Sequence, residues 1–202
     1  MIHDPNTPPT VRAFIAVELP EAAKAALAEP VRAFQAACGN TGLSPNWSRP
    51  DNWHLTLKFL GNVPFGQIAS ITERLAEAAK RHRPFTIHIE GFGAFPSPRR
   101  PRVLWIGLAD DKGRAALIEL AGAVEAAISP LGYPTEERDF HPHLTLARIP
   151  APRLVPAMVP VLERSQRTRL PAVAVEQVAL MRSELRRGGS VYTALANCAL
   201  GG

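Results

Sequence analysis

Polar and apolar positions alternate in two stretches of the chain that carry the same four residues. His54-Leu55-Thr56-Leu57 and His143-Leu144-Thr145-Leu146 each set a polar side chain and a leucine side by side, twice over. In an extended strand that period puts His54 and Thr56 on one face, His143 and Thr145 on one face, and the leucines on the other. The pattern predicts strands over Trp53 to Leu60, closed by Gly61, Asn62 and Pro64, and over Phe140 to Ile149. Arg12 to Leu19 reads as a buried strand, and Pro20 opens an alanine-rich helix through about Phe34. Cys38 to Asp51 is expected to be loop. Ile68, Ile71, Leu75 and Ala79 recur at helical spacing and predict a helix ending at Lys80. Phe85 to Glu90 alternates as a strand, and the Gly, Pro and Arg content of Gly91 to Arg102 predicts a loop or an irregular hairpin turn. Val103 to Leu108 is an apolar strand, Lys112 to Ile128 a helix and Pro130 to Arg138 a turn. Leu154 to Arg164 is expected to be a helix although it holds Pro156 and Pro160. Val173 to Arg182 and Val191 to Leu200 close the chain as strands joined through Arg186-Arg187-Gly188-Gly189.

The two histidines are 143 − 54 = 89 positions apart. Strand at Phe14, helix, strand at His54 recur as strand at Val103, helix, strand at His143, at nearly the same offset. That predicts an internal duplication, and two copies make facing lobes rather than a solenoid. The histidines would then meet at the seam.

Composition narrows the setting. A chain of 202 residues with 46% hydrophobic and 20% charged residues suits a single domain, 1–202, with Met1 to Val11 expected to be a flexible lead. No apolar run approaches the roughly 18 to 20 residues a membrane span needs, and Met1 to Thr10 is unlike a signal peptide, so a cytoplasmic setting without membrane association is expected. Lys and Arg number 23 against 18 acidic residues, and the pI is near 9.8. A polyanionic partner fits that excess, which is mostly arginine and so suited to bidentate phosphate contacts. Cys38 and Cys198 have no metal-ligand spacing and are expected to be reduced and buried.

Two imidazoles in one cleft are an acid and a base for reactions near neutral pH. Threonine hydroxyls beside them can donate to an anion, and phosphodiester hydrolysis needs both. Arg148, five residues after His143, would add a fixed positive charge, but its odd offset assigns it to the opposite face unless the strand bulges or ends. Ile149-Pro150 suggests an end there. Five residues after His54 stands Phe59, so the related slots hold an aromatic on one side and an arginine on the other. With Phe14, Phe59 is a candidate for stacking on a base.

The paired HLTL strands, the second continuing as His143-Leu-Thr-Leu-Ala-Arg148, resemble the two HxT signatures of the 2H phosphoesterase superfamily. Arg12-Ala-Phe-Ile-Ala-Val-Glu-Leu-Pro20 and the run His54 to Gly61 are similar to its LigT-like branch, the RNA 2',3'-cyclic phosphodiesterases first described as 2'-5' RNA ligases. The resemblance covers Arg12 to about Leu200. It implies an α+β, bilobal, duplicated fold in which two antiparallel sheets face a central cleft with helices outside. It implies opening of a 2',3'-cyclic phosphate at an RNA end to a 2'-phosphate, with no metal or other cofactor; a monomer is expected. On that pattern His54 protonates the leaving 3'-oxygen and His143 activates water, or the reverse, while Thr56, Thr145 and Arg148 hold phosphoryl oxygens. tRNA fragments and oligonucleotides are the candidate partners, and weak reverse 2'-5' ligation is a candidate side activity.

Other readings stand beside this one. His141 is two before His143, so His54, His141 and His143 could form a three-histidine zinc site for a zinc-dependent phosphohydrolase. A protein that binds RNA ends without turnover is the third class. Lys58 by parity shares the face of His54 and would meet phosphate or solvent. His82 reads as a solvated helix end and His88 as an exposed strand position. The arginines around Arg99 and Arg186 either guide RNA or solvate loops.

Overall fold

The computed structural model describes residues 9–151 and 153–201. In chain order it runs β1 (Thr10–Glu18), α1 (Glu21–Gly39), β2 (Asn46–Trp47), β3 (His54–Pro64), α2 (Ile68–Ala79), β4 (Phe85–Phe95), β5 (Val103–Leu108) and α3 (Lys112–Ile128). After these come β6 (Leu144–Arg148), α4 (Met158–Ser165), β7 (Arg169–Val175), β8 (Gln177–Arg186) and β9 (Gly189–Ala199). Residues 1–8 of the expected flexible lead lie outside the described residues, and β1 has begun by Thr10.

All pairings are antiparallel, in the order β7-β4-β5-β6-β3-β1-β8-β9, with β2 against β6. The two lobes are β3-β1-β8-β9 and β6-β5-β4-β7, and the motif strands are their inner edges. One residue pair, Leu55 with Leu144, joins them. The duplicated α+β architecture is therefore as expected, and the two sheets are continuous across this seam. The buried stripes of all four helices, such as Leu27 and Val31 of α1, Ile71 and Leu75 of α2, Leu117 and Val124 of α3, and Met158 and Leu162 of α4, enter one core cluster with Leu55 and Leu144. Helices thus cover one face of the sheet. On the other face Phe14, Ala16, Ala179 and Met181 form a separate cluster with Tyr192 against it.

Several elements run past their predicted ends. α1 continues to Gly39 because Leu27, Val31, Phe34 and Cys38 keep one buried stripe, and Pro30 is accommodated within it. β3 passes through Gly61, whose φ of 73° lets the strand kink rather than stop. β4 reaches Phe95, so the predicted loop shrinks to residues 96–102. β6 is shorter than expected, because residues 140–143 approach it as irregular chain. The strand expected over Val173 to Arg182 is two strands, β7 and β8, divided at Glu176, and β7 begins earlier, at Arg169. No helix among the described residues is long and apolar enough to cross a membrane.

Candidate active site

The seam pairing of Leu55 with Leu144 runs the motif strands past each other in opposite directions. One step either way along that register, Thr56 faces His143 and His54 faces Thr145. Both leucines are fully buried toward the helices. The histidines and threonines therefore line the open face together, as the alternation predicted.

Parity then breaks in both copies at the same place. Between β1 and β3, Ala16 pairs with Thr56 and Ile15 with Lys58, so Leu57 is passed over as a bulge. Between β5 and β6, Trp105 pairs with Thr145 and Leu104 with Ala147, so Leu146 is passed over. Each bulge shifts the following residues to the other face. Arg148 is thereby returned to the face of His143 and Thr145 while the strand continues, which resolves its odd offset. Its charge acts on the His143 imidazole. By the same shift Phe59 joins the face of His54, and its side chain is 65% exposed.

Lys58 goes the other way and corrects the parity reading. It is buried on the helix side, where its ammonium donates to Glu125 at 2.5 Å and to the Pro134 carbonyl at 2.7 Å. Phe14 is also corrected. It is 3% exposed, with its ring 4.7 Å from that of His54 and 5.0 Å from that of Tyr192. Such a ring supports an imidazole and has no free face for a base.

Both imidazoles are held in the same way. His54 Nδ1 donates to the Asn52 carbonyl at 2.7 Å and His143 Nδ1 to the His141 carbonyl at 2.6 Å. A carbonyl only accepts, so each Nδ1 carries the proton and each Nε2 is left for the cleft. In His54 that nitrogen meets the Thr56 hydroxyl at 3.0 Å. Burial pushes the His54 pKa down to about 4, with the backbone bond to Asn52 opposing and the charge of His143 adding to the fall. Burial lowers that of His143 too, and the charges of His141 and Arg148 lower it further against its bond to the His141 carbonyl. The seam pairing sets both rings on one face, and the charge of His143 acts on His54.

The walls include residues that sequence reasoning missed. Tyr192 stands edge-on to His54 at 5.2 Å, and Phe95 edge-on to His143 at 5.0 Å. Trp105 lies 6.1 Å from His143 and 5.0 Å from His141. The duplication itself carried a signal for Trp105, since 105 − 16 = 89 makes it the counterpart of Ala16. His141 sits against Trp105 with its ring 6.1 Å from that of His143. Among the described residues no three His, Cys, Asp or Glu side chains gather in a way that would hold a metal ion, so the three-histidine zinc reading lacks its donor set. His88 is not a free strand position, because its Nδ1 meets Asp111 at 2.7 Å and Asp111 caps α3 through Gly113 and Arg114.

A cleft with paired His-x-Thr strands and a shared arginine defines a two-histidine phosphoesterase, and the chain belongs to the LigT-like phosphoesterases, whose family model matches residues 17–105 and again 106–192. Among its relatives, the RNA 2',3'-cyclic phosphodiesterase of Methanothermobacter thermautotrophicus is 32% identical over 91% of this chain and 95% of its own. That of Thermus thermophilus is 36% identical over 95% and 91%. The crystal structure of a Thermus thermophilus protein superposes with a TM-score of 0.72 at 31% identity, covering 95% of this chain and 98% of that one. E. coli LigT complexed with 3'-AMP gives 0.71 at 26% identity, over 95% and 99%.

Proposed function

We propose that this chain hydrolyses 2',3'-cyclic phosphate ends of RNA to 2'-phosphate ends, with His54 and His143 as the acid and base. The observation that carries this reading is the seam itself, which sets two imidazoles with Nδ1 anchored and Nε2 inward across one cleft. The relatives named as RNA 2',3'-cyclic phosphodiesterases support the substrate. Water attacks phosphorus in line with the 3'-oxygen, His143 Nε2 takes its proton, and the P–O3' bond breaks as His54 Nε2–H protonates the departing oxygen. Thr56, Thr145 and Arg148 hold the non-bridging oxygens, where negative charge grows in the transition state. Phe59, exposed on the same face, offers a platform for the terminal base. When a hydroxyl end takes the place of water as the attacking group, the same site joins two strands, so weak 2'-5' ligation is expected when ends are concentrated.

The test is incubation of the protein, in excess EDTA, with an oligoribonucleotide ending in a 2',3'-cyclic phosphate, followed by identification of the terminal phosphate. A 2'-phosphate is expected. His54→Ala and His143→Ala should each lower kcat by about 10²- to 10⁴-fold with the fold retained. An unchanged cyclic end overturns the reading, and activity that appears only with added zinc would favour the metal mechanism instead.

A further inference from the structure

Positive charge without a partner collects at one end of the seam. The turn between β4 and β5 carries Arg99, Arg100 and Arg102, and the chain leaving β6 carries Arg148 and Arg153. Among the described residues none of these five forms an ion pair, whereas Arg49, Arg114, Arg182 and Arg186 each find a carboxylate. The two segments are tied together by backbone: Ile149 N–H donates to the Arg102 carbonyl at 2.9 Å and Val155 N–H to the Arg99 carbonyl at 2.8 Å. Arg153 is braced in turn, donating to the Gly42 carbonyl at 2.6 Å. Between them lies a cavity of about 440 Å³ lined by Pro96, Arg100, Arg102, Arg153 and Leu154.

We propose that this cavity is a second anion site, which binds a backbone phosphate of the RNA strand upstream of the cyclic end. Its place argues for a strand. Arg102 directly precedes Val103, which pairs with Arg148, so the cavity continues the line from the catalytic cleft past Arg148. The cavity is lined by Pro96, Arg100, Arg102, Arg153 and Leu154 and shares no residue with the histidine cleft, so a phosphate held by the histidines does not fill it. Exposed Leu154 and Pro96 give the sugar an apolar wall beside three guanidinium groups. A cyclic mononucleotide would leave the site empty. An oligonucleotide would occupy it, and the enzyme would favour RNA ends over small cyclic nucleotides.

This inference rests on the hydrolysis reading, and the experiment separates the two. All three arginines are exposed, so Arg100→Glu/Arg102→Glu is expected to fold. Turnover of a cyclic-ended hexaribonucleotide and of a 2',3'-cyclic mononucleotide is compared for wild type and variant across a salt series. Binding of a labelled hexaribonucleotide that ends in a 2'-phosphate is followed by anisotropy. The variant should lose most of its turnover on the oligonucleotide through KM, keep its turnover on the mononucleotide and bind the labelled strand more weakly. Its salt slope should fall by about 0.7 for each phosphate it no longer neutralises. Equal binding by wild type and variant, or equal losses on both substrates, overturns the second site. A wild type that opens neither substrate overturns the hydrolysis reading instead, and the binding comparison still decides the cavity.

Discussion

At the scale of single residues, the site is governed by what burial does to imidazole. Both histidines are held neutral near pH 7, since burial lowers both and takes His54 to about 4. The proposed mechanism needs one protonated and one neutral ring. The singly protonated free enzyme is therefore most populated on the acid side, and kcat/KM should fall about tenfold per pH unit once pH exceeds the higher of the two values. A bound phosphate anion raises both values, so the kcat profile should lie at higher pH than that of kcat/KM. The same shift sets a stability trend of known sign. The unfolded chain takes up a proton near 6.5 and folded His54 only near 4, so the melting temperature should decline as pH falls between them. A free-enzyme profile centred above pH 7 would contradict this account. Lys58 makes the opposite case, a charge bound for structure. Lys58→Met would leave the Glu125 carboxylate, 22% exposed, with only the Ser129 hydroxyl, and should cost about 2 kcal/mol by denaturant titration, with kcat unchanged in the folded fraction.

At the scale of elements, the decisive features are two bulges and one bare glycine. Bulges at Leu57 and Leu146 swap faces after each motif and so deliver Phe59 and Arg148 to the cleft. Nothing in a leucine announces a bulge, which is why period-two reading placed Lys58 on the wrong face while placing His54, Thr56, His143 and Thr145 on the right one. β5 and α3 matched their predicted bounds because each is a clean run with one period. β3 and β4 outran theirs because Gly61 and Gly91, with φ of 73° and 76°, act as kinks inside strands rather than as ends. Tyr192 and Phe95 were not legible, since pairing between distant strands brings them to the histidines. Gly93 shows how closely one wall is fitted. It pairs with Trp105, and a Cβ there would run into the indole ring. Gly93→Ala should cost about 1–3 kcal/mol and, by moving Trp105, lower kcat as well. The paired readouts are melting temperature and turnover. A stable variant with full activity would show that the indole is free to move.

At the scale of the whole molecule, the duplication is obeyed by the backbone and broken by the chemistry. The offset of 89 relates His54 to His143, Thr56 to Thr145, the bulged Leu57 to Leu146, and the strand partners Phe14 to Val103. It also relates Phe59 to Arg148, and because the motif strands are antiparallel these two lie at opposite ends of the seam. The cleft thus has an aromatic end and a basic end, although its two halves share one plan. On the proposed function, that polarity would give an RNA end one favoured direction, with the base toward Phe59 and the strand leaving past Arg148. Exchanging the two, as Phe59→Arg/Arg148→Phe, keeps the composition and both histidines and reverses the polarity. Were the cleft symmetric in function, the exchange would restore what the single changes lose. With the basic rim on the Arg148 side only, the double variant should remain impaired, with a greater loss of kcat/KM on a cyclic-ended oligonucleotide than on a cyclic mononucleotide. Recovery of wild-type discrimination between those two substrates would show that the direction of the strand is set elsewhere.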